Sequence, residues 1–210
     1  MDKIKVEHMS KRFKQHVLFQ DFTYHFEENK FYAITGESGA GKSTLLHMIG
    51  GLEPIDEGDI LYDSEYSIKH NSNHRTLWKN KVAFIFQNYA LIDTESVRQN
   101  LEMVLEIQKE KQKAEKIAEV LEKVQLSGYE DSLICTLSGG EQQRVAMARV
   151  LLKHCDVVLA DEPTGNLDEK NREIIFQILK DLQSDGKTIL MVTHDMALAK
   201  RCDEILQLKR

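Results

Sequence analysis

The sequence predicts an α/β fold: a largely parallel sheet with helices on both faces, an N-terminal antiparallel β piece and an inserted all-helical block. Three observations predict it. Short apolar runs, among them residues 157–160 and 189–192, alternate with helical stretches, as strands buried on both faces do. A glycine-rich loop at residues 36–44 joins one such run to a helix-like one. Between residues 88 and 135 the alternation stops and helical periodicity alone remains.

Residues 3–8 and 22–26 alternate apolar and polar side chains, as half-exposed strands do, and residues 10–13 read as a loop presenting the aromatic Phe13. Asn29 marks a turn that needs a left-handed residue. The apolar run 31–35 is a buried strand. The helix that starts near Leu45 stops at Gly50 and Gly51, and Pro54 prevents its continuation. A short strand follows at 59–63. The polar stretch 64–80 reads as solvated loop: His70 and His74 stand four apart, but no further ligand has suitable spacing for a metal. A strand at 81–86 ends in Gln87.

Residues 96–126 read as helical, with Ile117, Val120, Leu121 and Val124 on one stripe and the interspersed charges of 108–116 on a solvated face. From Gly139 the chain alternates again: a helix to about residue 153, a strand at 156–161, a helix at 169–183, a strand at 188–193, a short helix and a strand at 204–208. One domain follows, with residues 1–87 and 136–210 as the α/β core and 88–135 as a helical subdomain.

The 210 residues are 41% hydrophobic and 30% charged, enough for one sizeable core. A net charge of −6 argues against a nucleic-acid surface, so no nucleic-acid partner is expected. The longest apolar runs have strand length and fall short of a membrane span, and residues 1–6 lead straight into strand-like alternation without a secretory leader. Any membrane role is therefore expected to pass through a partner. Cys135, Cys155 and Cys202 are odd in number and lack metal-type spacing, which fits reduced thiols.

The chemistry concentrates where strands end, the edge at which ligands of parallel sheets gather. Gly36, Glu37, Ser38, Gly39, Ala40, Gly41, Lys42, Ser43 and Thr44 form a Gly-x4-Gly-Lys-Ser loop between a strand and a helix. Glycines let its N–H groups turn inward on phosphate oxygens and the helix N-terminus adds positive potential; Lys42 reaches the β- and γ-phosphates of a nucleotide and Ser43 holds Mg²⁺. Asp161 and Glu162 end a wholly apolar strand. Adjacent acids there call for a cation, with Asp161 approaching the Mg²⁺ and Glu162 polarising a water. Gln87 offers an amide oxygen to the Mg²⁺ or the water, and His194, after another strand, can bond the γ-phosphate. Ser138 can cap a following helix while Gly139 and Gly140 let an anion approach its N-terminus, a second phosphate-binding feature.

In order and over essentially its whole length, the chain resembles an ATP-binding-cassette (ABC) transporter ATPase subunit. The stretch Leu137-Ser-Gly-Gly-Glu-Gln-Gln-Arg144 is close to diagnostic of that family. The resemblance implies a P-loop NTPase core, ATP and Mg²⁺ as cofactors, and hydrolysis of ATP. It makes residues 36–44 the Walker A loop, 157–162 the Walker B strand with Glu162 as catalytic base, Gln87 the Q-loop glutamine, Asn166, Leu167 and Asp168 the D-loop, and His194 the switch histidine. Phe13 matches the adenine-stacking aromatic, where Tyr is more usual. It further implies a head-to-tail homodimer in which Ser138, Gly139, Gly140 and Glu141 of one copy close over the γ-phosphate on the other's Walker A loop. An integral-membrane permease would hold the subunit at the cytoplasmic face of the membrane.

Asp161-Glu-Pro-Thr-Gly-Asn-Leu-Asp168 resembles the macrolide-exporter, lipoprotein-releasing and antimicrobial-peptide-resistance group, and Phe86-Gln-Asn-Tyr-Ala-Leu-Ile-Asp93 resembles ATPases for export of lactococcin-type bacteriocins. Export of a peptide or bacteriocin, or antimicrobial resistance, is the expected use. The alternative is an ABC-type ATPase outside transport, as a cell-envelope or division regulator or a nucleic-acid machine, the last disfavoured by the acidic charge. A small P-loop kinase leaves residues 137–144 unexplained.

Overall fold

A computed structural model describes residues 1–14, 16–71, 73–165 and 167–209. The chain opens with a long hairpin, β1 (Asp2–Phe13) and β2 (His16–Glu27). Residues 10–13 thus belong to a strand and not to a loop. The polar pattern conceals this because Lys11, 4% exposed, is buried with partners: its Nζ lies 2.5 Å from Glu53 Oε1 and donates to the Pro54 carbonyl at 2.8 Å. A buried ammonium is tolerated only with such compensation.

β3 (Phe31–Gly36) leads through the glycine loop into α1 (Lys42–Ile49). β4 (Glu57–Tyr62) follows, then β5 (Tyr66–Ser67) and α2 (Arg75–Asn80). The stretch read as solvated loop therefore holds a strand and a helix, both too short to show periodicity. His74 packs inside it, with Nδ1 3.1 Å from the Tyr66 hydroxyl and its ring 6.0 Å from that of Trp78. Burial pushes its imidazole below the usual range. His70 is exposed, and no group of three potential metal ligands occurs among the described residues.

After β6 (Val82–Ile85) come α3 (Val97–Ile107) and α4 (Lys113–Lys123), two helices where the sequence suggested one continuous helical stretch. The break falls at Lys109, whose φ is +58°. Ser96 and Gln99 form a reciprocal capping box at the start of α3. α4 has no side-chain cap at Gln112 and is held by its stripe. Ile117 and Leu121 are fully buried, each contributing about 1.5–3 kcal/mol.

A 3₁₀ turn at Ile134–Thr136 precedes α5 (Gly139–Leu152), β7 (Val157–Asp161), α6 (Glu169–Ser184), β8 (Thr188–Val192), α7 (Met196–Ala199) and β9 (Glu204–Leu208).

Two sheets result: antiparallel, in the order β2-β1-β4-β5, and parallel, in the order β6-β7-β8-β3-β9. Alternate residues of the parallel strands serve opposite cores. On β7, Val158 and Ala160 join residues of α3 to α6, whereas Val157 and Leu159 join α1 and the antiparallel sheet. Burial on both faces is why these strands read as continuous apolar runs. Asp161 pairs in register with Val192, and Ile34 with Val192, so the ends of β3, β7 and β8 lie level at one edge. The cysteines are free thiols.

Candidate functional site

The loop after β3 is shaped by two glycines that nothing else could replace. Gly36 has φ +148°, and a Cβ there would sit 2.5 Å from the Leu208 carbonyl oxygen. Gly41 caps α1 in the left-handed region at φ +88°, where a Cβ would come within 2.9 Å of the Phe19 ring. β9 and β2 thus clamp the loop from two sides. Glu37, Ser38 and Gly39 are exposed along it, and Ala40 turns its methyl into the core. The Lys42 ammonium donates to the carbonyls of Gly36 and Glu37, both at 3.0 Å. It curls over a loop whose helix N-terminus attracts anions, the arrangement a phosphate group fits.

Ser43, on the first turn of α1, donates its hydroxyl to Asp161 Oδ1 at 2.8 Å. Asp161 is only 6% exposed, and His47 Nε2 approaches its other oxygen at 3.6 Å. His47 went unnoticed in the sequence, although its i+4 spacing from Ser43 places both on one helix face. A buried carboxylate with one hydroxyl donor is a donor set suited to a hard cation such as Mg²⁺.

Glu162 follows with φ +48°, a conformation uncommon for glutamate, and is pinned there by its N–H bond to the Val192 carbonyl at 3.1 Å. Its Oε2 is buried and accepts no well-aligned hydrogen bond. His194 Nδ1 comes within 2.9 Å of that oxygen without meeting the geometry of a hydrogen bond. An orphaned carboxylate oxygen costs about 1–3 kcal/mol or more, a cost relieved when a water or ligand donates to it. Glu162, Asp161, Ser43 and His194 therefore converge beside the glycine loop.

Other sequence-predicted residues make no hydrogen bond to that group among the described residues. Gln87 lies just beyond β6, exposed, and its side chain makes no hydrogen bond among the described residues. Phe13 ends β1 with a 44% exposed ring, and Lys11 Nζ is 4.7 Å from its centroid. Asp168 caps α6, accepting from the Asn171 N–H at 2.8 Å. Hydrogen bonds from Asn171 hold its carboxyl below the usual range. Asn166 lies outside the described residues.

Ser138 caps α5 in a capping box. Glu141 Oε2 accepts from the Ser138 N–H at 2.8 Å and from its hydroxyl at 2.6 Å, bonds that hold the Glu141 carboxyl below the usual range. Ser138 and Gly139 are exposed. Among the described residues, no hydrogen bond joins residues 138–141 to the loop at 36–44.

The family model described as ABC transporter matches residues 19–165. The chain is 41% identical over 187 residues to the lipoprotein-releasing system ATP-binding protein LolD of Blochmanniella floridana, covering 87% of this chain and 80% of that one. It is 36% identical over 218 residues to the macrolide export ATP-binding/permease protein MacB of Mannheimia succiniciproducens, matching 100% of this chain but only 34% of that longer protein. A solved dimeric post-hydrolysis state of the ATP-binding cassette MJ0796 bound to ADP and Pi superposes with a TM-score of 0.90 at 32% identity, covering 98% and 94% of the two chains. By its sequence, its fold and the convergence of Lys42, Ser43, Asp161 and Glu162, the chain belongs to the ABC transporter family, as an ATP-binding, ATP-hydrolysing subunit of the LolD and MacB type.

Proposed function

We propose that this subunit powers a separately encoded membrane permease by closing as a head-to-tail homodimer around ATP and reopening after hydrolysis. The observation that carries the reading is the separation of two phosphate-binding features on one chain. Lys42 and its loop have no bond to the exposed N-terminus of α5, so a second copy would have to supply Ser138, Gly139 and Gly140 to the open side of the loop.

Within that site, the loop N–H groups from Gly36 to Thr44 and Lys42 bind the phosphates, and Phe13 stacks on the adenine. Ser43, Asp161 and Gln87 hold Mg²⁺, which when bound neutralises phosphate charge. Glu162 takes the proton of the attacking water, its buried oxygen being free to accept it, and His194 contacts the γ-phosphate side. Asp168 belongs to the surface that meets the second copy.

An apolar groove beside β6, lined by Leu52, Trp78, Phe84, Met103, Val104 and Ile107, supports the permease partner. Leu52, Trp78, Met103 and Ile107 are each at least 36% exposed. Arg149 donates to the carbonyls of Tyr89 and Ala90 at 2.8 and 2.5 Å, fastening the segment after Gln87 to α5. A permease helix seated in the groove would thus act on Gln87 and α5 together, with residues 88–135 as the moving subdomain. On the resemblance of residues 86–93, the cargo is an exported peptide such as a bacteriocin, or an antimicrobial compound.

Glu162→Gln tests the reading. The variant is expected to bind ATP, to accumulate as an ATP-dependent dimer in sedimentation velocity and to hydrolyse at least about a hundredfold more slowly. Near-parent turnover, or a strict monomer with ATP, contradicts it. Loss of peptide export in cells carrying the variant tests the cargo.

A further inference from the structure

Asn171, on the first turn of α6, so far enters only as a donor to Asp168, yet its side chain occupies the junction between two of the motifs. Its side-chain Nδ2 donates to Asp168 Oδ2 at 2.6 Å, and its Oδ1 accepts from Arg144 Nη1 on α5. One carboxamide therefore bridges the guanidinium that ends the 137–144 motif and the carboxylate that ends the 161–168 motif. Arg144 has no other side-chain hydrogen bond among the described residues, and its Nε is buried without a partner. The bridge is consequently the one hydrogen bond that holds its guanidinium among the described residues.

Gly140 explains how the bridge fits. A Cβ on Gly140 would lie 2.8 Å from Asn171 Cγ, 2.8 Å from Nδ2 and 3.1 Å from Oδ1, so the missing side chain makes room for the carboxamide. Gly140 is helical and has no positive φ, so its backbone conformation does not call for glycine. Anion approach is one reason for a glycine here, and intrachain packing against Asn171 is a second.

We propose that Asn171 is a positioning residue for ATP hydrolysis: it locks the turn at Ser138–Gly140 and the carboxylate of Asp168 into one rigid unit, so that both reach the second copy in a fixed relative orientation. The inference rests on the dimeric reading above. Asn171 is not needed to cap α6, because the cap bond to Asp168 Oδ1 comes from its main-chain N–H, which any substitution except proline keeps. Nor does it touch the loop that binds ATP, so its loss should act on turnover and not on nucleotide affinity.

The test is a double-mutant cycle of Gly140→Ala and Asn171→Ala, read in two ways on the purified chain. Thermal unfolding without nucleotide reads the contact itself. Gly140→Ala should lower Tm by about 2–4 °C in the parent, where it displaces the carboxamide, and should raise Tm in the Asn171→Ala background, where only its better helix propensity remains. Steady-state hydrolysis reads the positioning role. Asn171→Ala should lower kcat about tenfold with KM changed less than twofold, since only the assembled site is disturbed. A Tm loss from Gly140→Ala that is equal in both backgrounds overturns the packing argument, and parent-like kcat in Asn171→Ala overturns the positioning role. If the parent itself neither hydrolyses ATP nor dimerises with it, the functional reading fails and the positioning role with it, while the sign of the Tm change still decides the contact.

Discussion

The hydroxyl of Ser43 lies 2.8 Å from Asp161 Oδ1, joining the first turn of α1 to the end of β7 across 118 residues of sequence. The two groups share one proton-bearing contact where a divalent cation would need both oxygens. Asp161→Asn keeps the acceptor for Ser43 but removes the charge. Its Mg²⁺ requirement for hydrolysis should rise at least about tenfold, while thermal stability without Mg²⁺ should hold or improve, since a buried charge is replaced by a neutral amide that still accepts from Ser43. Mg²⁺ titrations of turnover, paired with melting curves without Mg²⁺, check both halves.

Gly41 and Gly39 are both left-handed, at φ +88° and +81°, but only Gly41 faces a neighbour, the Phe19 ring. Gly39 has open space around its absent side chain. Each change to alanine should cost about 1–2 kcal/mol of backbone strain, and Gly41→Ala should cost about 1–3 kcal/mol more because it also overpacks the core around Phe19. Chemical denaturation of the two variants gives the difference directly; equal losses would mean that β2 does not support the loop.

His74 supplies a pH signature. Its folded-state pKa lies below the unfolded value, so the unfolded chain binds the proton more readily. The sign follows: stability is unaffected well above about pH 6.5 and falls as pH drops below it, levelling off under the folded pKa. His74→Gln should therefore melt with a shallower loss between neutral and mildly acidic pH than the parent. Parallel pH profiles would refute the lowered imidazole pKa of the partly buried His74.

The candidate site was unevenly legible in the sequence. Residues 36–44 and the Asp161–Glu162 pair were readable because their chemistry depends on short-range spacing. The strand character of residues 10–13 was hidden because Lys11 is buried against Glu53 and Pro54, partners more than forty positions away. α2 and the packed His74 escaped notice because a six-residue helix is shorter than two full turns. The break between α3 and α4 depends on Lys109 adopting φ +58°, which no local residue preference marks.

By itself the sequence determined the α/β class, the strands of the parallel sheet, the glycine loop that joins β3 to α1, the acids that end β7 and the family to which the chain belongs, since each is carried by residues adjacent in the chain. Only the tertiary structure decided that Ser43 bonds Asp161, that Glu162 keeps an unpaired oxygen beside His194, and that Asn171 spans Arg144 and Asp168 in the space left by Gly140. These relations depend on how β3, β7 and β8 align and how α5 lies against α6. Such alignments come from burial summed over whole faces, and no local stretch of sequence records that sum.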